Sequence, residues 1–112
     1  MAFRSDVEAL VLGALQDGAL HGYGIAKRLR GTSKALAIGE GQLYPVLHRM
    51  ESEGLLAAHW VDQAGKPDRK TYTLTEAGRA ALTKSRAEWK EFAAGVGSVL
   101  GGPKLSEGGC DA

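Results

Sequence analysis

The chain has 112 residues, of which 44% are hydrophobic and 24% charged, a size and balance suited to one small soluble domain with its own core. Fourteen Lys+Arg against thirteen Asp+Glu leave a formal charge of +1, which excludes a broad basic coat, so any affinity for nucleic acid must come from where the charges sit. The single cysteine, Cys110, excludes an internal disulfide, and the absence of zinc spacing, of a membrane-length apolar run and of a signal-peptide plan in MAFRSDVEAL points to a cytoplasmic protein with no metal, no cofactor and no membrane partner.

Ser5 or Asp6 can cap a first helix, and Val7, Leu10, Val11 and Ala14 follow at the spacing of one helical face. Asp17-Gly18 ends it. His21-Gly22-Tyr23-Gly24 opens a second short helix. Ile25 and Leu29 form its apolar pair, Lys27, Arg28 and Arg30 make the rest basic, and Gly31-Thr32-Ser33 stops it. The apolar run 35–38 reads as one minor strand. Gly39 to Pro45 leads into a third helix ending at Ser52 or Glu53, with Leu43, Val46, Leu47 and Met50 as its buried stripe. Pro45 removes a backbone donor, harmless in the first turn and kink-forming one turn further in.

Residues 55–61 read as a strand, 63–68 as a turn, and 69–74 as a second strand with Tyr72 and Leu74 on one face and Thr71 and Thr73 on the other. Together they predict a β-hairpin with a basic tip. Thr75 caps a fourth, long helix on which Leu82, Trp89, Phe92, Val96 and Val99 share a 3.5-residue seam, with Ser85 as the polar exception. Gly95 and Gly97 weaken its last turns by about 1 kcal/mol each. The Gly-rich residues 101–112 are expected to be disordered.

This order predicts a mainly α fold with a small β-hairpin: a winged helix-turn-helix over residues 1–75, one C-terminal dimerisation helix over 76–100, and a tail. Opposite the buried stripe, the third helix carries Gly41, Pro45, His48, Arg49 and Ser52, flanked by Gln42 and Tyr44. A helix in the major groove reads base edges near its N-terminus, where Gln and Arg make bidentate contacts and Ser and His single ones. The Tyr44 hydroxyl can bond phosphate. An ordinary solvated face accounts equally well for the helix alone. Charge placement shifts the balance. Between residues 20 and 80, Lys27, Arg28, Arg30, Lys34, Arg49, Lys66, Arg69, Lys70 and Arg79 outnumber Glu40, Glu51, Glu53, Asp62, Asp68 and Glu76. Lys66, Arg69 and Lys70 on the wing either reach the DNA backbone or keep an exposed hairpin soluble, with Asp68 lowering the local field.

The seam of the fourth helix exposes an apolar strip that implies a partner, here a second copy, with Phe3 and Val7 of the first helix adding contacts. A two-fold dimer sets two recognition helices roughly 34 Å apart, one turn of duplex. Trp89 reads either as interface core or as a wall for a planar hydrophobic small molecule. His21, His48 and His59 form no HExxH arrangement, and no phosphate-loop, dinucleotide or nucleophile-elbow pattern occurs, so an enzyme is not expected. The competing reading is a winged-helix module that binds protein instead of DNA.

Three motifs in order carry a resemblance. His21-Gly22-Tyr23, then Gly41-Gln42-Leu43-Tyr44-Pro45, then Pro67 through Gly78 (PDRKTYTLTEAG) resemble the PadR family of transcriptional regulators, as does Arg49 through Leu55 (RMESEGL) at the end of the third helix. The likeness spans residues 7 to about 95. It implies a bacterial or archaeal homodimeric repressor on a palindromic operator, and the single C-terminal helix resembles the short subfamily. It further implies phosphate contacts from Tyr23 and Tyr44, and DNA contacts from the third helix and wing. Gly24 departs from the acid more usual in the family, so no role carries over there. Some short members hold flat aromatic compounds between paired C-terminal helices against a tryptophan from each subunit, and Trp89 matches that place.

Overall fold

The computed structural model describes residues 6–101; the expected cap at Ser5, Phe3 and the tail with Cys110 lie outside them. The elements run α1 (Asp6–Ala14), β1 (Leu20–His21), α2 (Gly22–Thr32), a 3-10 turn (Lys34–Leu36), α3 (Glu40–Ser52), β2 (Leu56–Gln63), β3 (Lys66–Leu74) and α4 (Glu76–Leu100). The mainly helical winged-helix plan is as predicted, with two local differences.

The first concerns residues 35–38, which form no strand. Ser33 accepts a bond from the Ala35 amide at 3.1 Å and starts the 3-10 turn instead. Local capping beats the short apolar run because only Leu36 and Ile38 gain partial burial there. The minor strand is β1. It pairs antiparallel with β3, Leu20 opposite Tyr72 and His21 opposite Thr71, making a three-stranded sheet of order β1-β3-β2.

The second is the hairpin's length. The expected turn at 63–68 contracts to Ala64-Gly65, and β3 begins already at Lys66. Gly65 supplies the positive φ of 74° that the tight connection requires. Pro67 is tolerated in β3 because the register slips between Val61 and Gln63, so no ladder amide is needed there.

The core explains the helix order. Val11, Leu12 and Leu15 at the end of α1, Ile25 and Leu29 of α2, and Leu43, Leu47 and Met50 of α3 are buried together with Leu56, Tyr72, Leu74 and Leu82. Every stripe predicted from 3.6-residue spacing contributes, although Val7, Leu10 and Val46 lie only at its margin. At about 25 cal/mol per Å² of apolar surface, this one cluster is what holds three short helices that could not persist alone.

The Thr75-Glu76-Ala77-Gly78 sequence is a joint. The Thr75 hydroxyl accepts from the Gly78 amide at 3.0 Å and lies 2.6 Å from the Gly54 carbonyl and 3.0 Å from that of Leu55. A Cβ on Gly78 would collide with the Leu55 carbonyl oxygen, so glycine lets α4 begin directly against the end of α3. Arg86 then donates to Gln16 at 2.6 Å, tying α4 to the end of α1. Beyond that point α4 leaves the body, and the molecule extends 60 Å in its long direction against 27 and 24 Å in the others. Among the described residues, no helix is long and apolar enough to cross a membrane.

Candidate nucleic-acid interface

α3 stands on its buried edge. Leu43, Leu47 and Met50 anchor it, which leaves Gly41, Gln42, Pro45, His48, Arg49 and Ser52 exposed, the arc predicted from the helical wheel. Pro45 falls in the second turn, so the Gly41 carbonyl lacks its helical donor on the solvent side. Glu40 occupies the first turn, while Glu51 and Glu53 lie at the far end.

Tyr44 lies across the start of α2. A Cβ on Gly22 would come 2.5 Å from the Tyr44 ring and 2.7 Å from its hydroxyl oxygen, so the glycine of His21-Gly22-Tyr23 exists to seat that ring. Burial, then Glu40 and Tyr72, push the Tyr44 hydroxyl above its ordinary pKa, so it remains a donor. The N-terminus of α2 has no side-chain cap and no acid in its first turn. Tyr23 is 50% exposed beside it, its ring 6.1 Å from that of His21. Partial burial and then the Arg69 charge lower the pKa of His21, which therefore stays neutral at physiological pH. His21 pairs with Thr71, and Arg69 lies two residues from Thr71 on β3, on the same face of the sheet. His21 and Tyr23 thus stand at the uncapped start of α2 with the Tyr44 ring packed across Gly22, an arrangement suited to phosphate.

Two cations of the predicted face, Arg49 and Lys70, are held by carboxylates. Arg49 pairs through Nη2 with Glu8 of α1 and through Nη1 with Glu53, each at 3.1 Å. It leans toward α1 more than the wheel suggested. Lys70 pairs with Glu51 of α3 at 3.0 Å, and its ammonium sits 5.9 Å from the Trp60 ring centre and 5.4 Å from that of Tyr72. Its hydrogen bond to Glu51 raises its pKa despite partial burial. Lys66 and Arg69 are exposed on β3. Arg28, basic by sequence, is tied to Asp17 at 2.8 Å. Arg49 and Glu53 stand four residues apart on one helix, but no sequence spacing foretold the Glu8, Glu51 and Asp17 pairs, whose partners belong to different elements.

A second feature lies between α1 and α4. Ala9, Leu10 and Gly13 of α1 and Leu82, Trp89 and Phe92 of α4 line an apolar cavity of about 650 Å³. Trp89 is 53% exposed, its ring centre 6.1 Å from that of Phe92. Leu82, predicted for the seam, is buried in the chain's own core, and Val7 is half-buried on α1. Val96, Val99 and Leu100 are exposed along the projecting end of α4.

A recognition-type helix, a hairpin wing beside it and a helix projecting from the far side define a winged-helix transcriptional regulator by architecture. The profile of the transcriptional regulator PadR-like family matches residues 11–84, and the chain belongs to that family. A protein of Mycobacterium tuberculosis named a transcriptional regulator is 35% identical over 105 residues, covering 94% of this chain and 92% of its own. The crystal structure of a PadR family regulator from Clostridium difficile superposes with a TM-score of 0.73 at 32% identity, over 86% of this chain and 98% of the other. Bacillus subtilis PadR in complex with operator DNA superposes with a TM-score of 0.67 at 28% identity, over 71% of this chain and 46% of that one.

Proposed function

We propose that this protein is a cytoplasmic, homodimeric repressor that binds a palindromic DNA operator. α3 lies in the major groove, with Gln42 and His48 at base edges and Arg49 reading or bracing at the flank. Tyr23 and Tyr44 take phosphate at the start of α2, and Lys66, Arg69 and Lys70 meet the flanking backbone. The observation that carries this reading is the exposed arc of α3 lying beside a basic hairpin and uncapped helix amides. The operator-bound Bacillus subtilis PadR supports it.

Residues 1–75 form the reading head in this account, and residues 76–100 join two copies. Trp89, Phe92 and Val96 of α4, with Val7 of α1, supply the apolar contact, and each buried aromatic contributes a few kcal/mol. The cavity at Trp89 accepts a planar hydrophobic small molecule, whose binding releases the operator. The alternative, a winged-helix module that binds protein, gains some support from Arg49 and Lys70 already being neutralised. The exposed Gln42, His48, Lys66 and Arg69 favour DNA. Sedimentation tests the assembly: a dimer at micromolar concentration is expected for the wild type, weakened at least tenfold in Trp89→Ala. A wild-type monomer at that concentration contradicts it.

A further inference from the structure

The hairpin carries one large apolar side chain that the proposed interface leaves unused. Trp60 on β2 is 67% exposed. Its direction follows from the register. Leu56 opposes Leu74, Ala58 opposes Tyr72, and Trp60 opposes Lys70, so these six side chains share one face of the hairpin. Near the base that face is buried against the helices, through Leu56, Tyr72 and Leu74. Further out it carries Trp60 and Lys70, and Lys70 reaches across to Glu51 on α3 at 3.0 Å. Trp60 therefore stands in the notch between the recognition-type helix and the wing. Arg69, by contrast, alternates onto the other face.

Groove geometry says what passes through such a notch. One sugar–phosphate backbone separates the major groove from the adjoining minor groove. A helix in the first and a hairpin in the second straddle that backbone, and whatever lies between them faces it. An indole offers a flat apolar surface to the C–H groups of deoxyribose, and an adjacent ammonium answers the phosphate. Trp60 and Lys70 supply both, 5.9 Å apart from ring centre to ammonium. The Glu51 carboxylate in the same notch is already paired with Lys70.

We propose that Trp60, with Lys70 beside it, is a sequence-independent contact for the DNA backbone running between α3 and the wing. The inference rests on the DNA-binding reading above. Because the contact is apolar and meets sugar, it adds affinity on every sequence and selects none.

The test uses the full chain and a pool of random-sequence 40-bp duplexes at low salt. The chain has two tryptophans, so the emission present in the wild type and missing from Trp60→Phe reports on Trp60 with Trp89 left in place. Saturating duplex is expected to cut acrylamide quenching of that emission by at least half. Trp60→Ala should weaken binding about 5- to 30-fold on selected and random duplexes alike. The log–log salt slope should not change, because no charge is removed. Trp60→Phe should keep most of the affinity. If the wild type binds while Trp60 quenching is unchanged and Trp60→Ala stays within twofold, the Trp60 contact is overturned and the DNA reading survives. If the wild type binds no duplex, both are overturned together.

Discussion

Arg49 separates two roles that one side chain can play on α3, and its two ion pairs give the magnitudes. Its guanidinium has five N–H donors, and the pairs to Glu8 and Glu53 engage Nη1 and Nη2 once each. Donors remain for a base edge. The Arg49 side chain is 46% exposed, so pairs of this kind contribute only about 0.5–1 kcal/mol, slightly more on the Glu8 side, where the carboxylate is 19% exposed. Arg49→Ala removes both pairs and should therefore lower the thermal midpoint by about 4–16 °C. A bidentate base contact is worth about 1–3 kcal/mol, so the same substitution should weaken binding to a selected operator about 5- to 150-fold while leaving random duplex nearly unaffected. Glu8→Ala breaks the same ion pair from the α1 side but leaves Arg49 in place. Because the Glu53 pair survives, it should show the Glu8 share of the stability loss and keep operator affinity within a few-fold. Fluorescence anisotropy on both duplexes, with melting curves for both variants, provides the comparison. If the two variants lose operator affinity equally, Arg49 acts by bracing α3 against α1, and the base-reading role is refuted.

Further outcomes follow from other contacts. Gly78→Ala puts a methyl against the Leu55 carbonyl, and the overpacking cost of about 1–3 kcal/mol should exceed the helix-propensity gain of about 1 kcal/mol, visible as a reduced urea midpoint. Lys66→Ala should weaken all duplexes alike and reduce the salt slope by about one, measured by titration between low and physiological salt. For His21 the folded-state pKa lies below the ordinary 6.5, because burial and then Arg69 disfavour the charged ring. Its contribution to stability is thus complete above pH 6.5 and is lost as pH falls through the lowered value. The melting-temperature difference between wild type and His21→Gln should be constant above pH 7 and shrink below pH 6.

Much of this molecule was legible in its sequence because its motifs are local joints. The Thr75 cap and the motifs that hold Gly22 and Gly78 were readable, whereas the close approaches those two glycines permit show only once the chain has packed. The stripes of α2 and α3 follow from helical spacing alone. The structure departs where a feature is too short to have a period or too distant to have a spacing. β1 is two residues long, so no alternation could announce it, and its register comes from β3. The run 35–38 looked like a strand because apolar residues cluster there, but a serine cap on a neighbouring amide is cheaper than an edge strand without a partner. Glu8 and Arg49, and likewise Glu51 and Lys70, meet only once three helices and a sheet have packed. The exposure of Trp60 was equally hidden, since its strand reads as apolar apart from His59.

The central claim is that two copies present paired α3 helices to one face of a duplex. Selection from a randomised duplex library with the purified full chain, followed by sequencing of the bound fraction, tests it most directly. An inverted repeat with half-sites centred one helical turn apart, about 10 bp, or a multiple of that, is predicted. A bound fraction with no enriched sequence, or a single half-site with no symmetric mate, contradicts it.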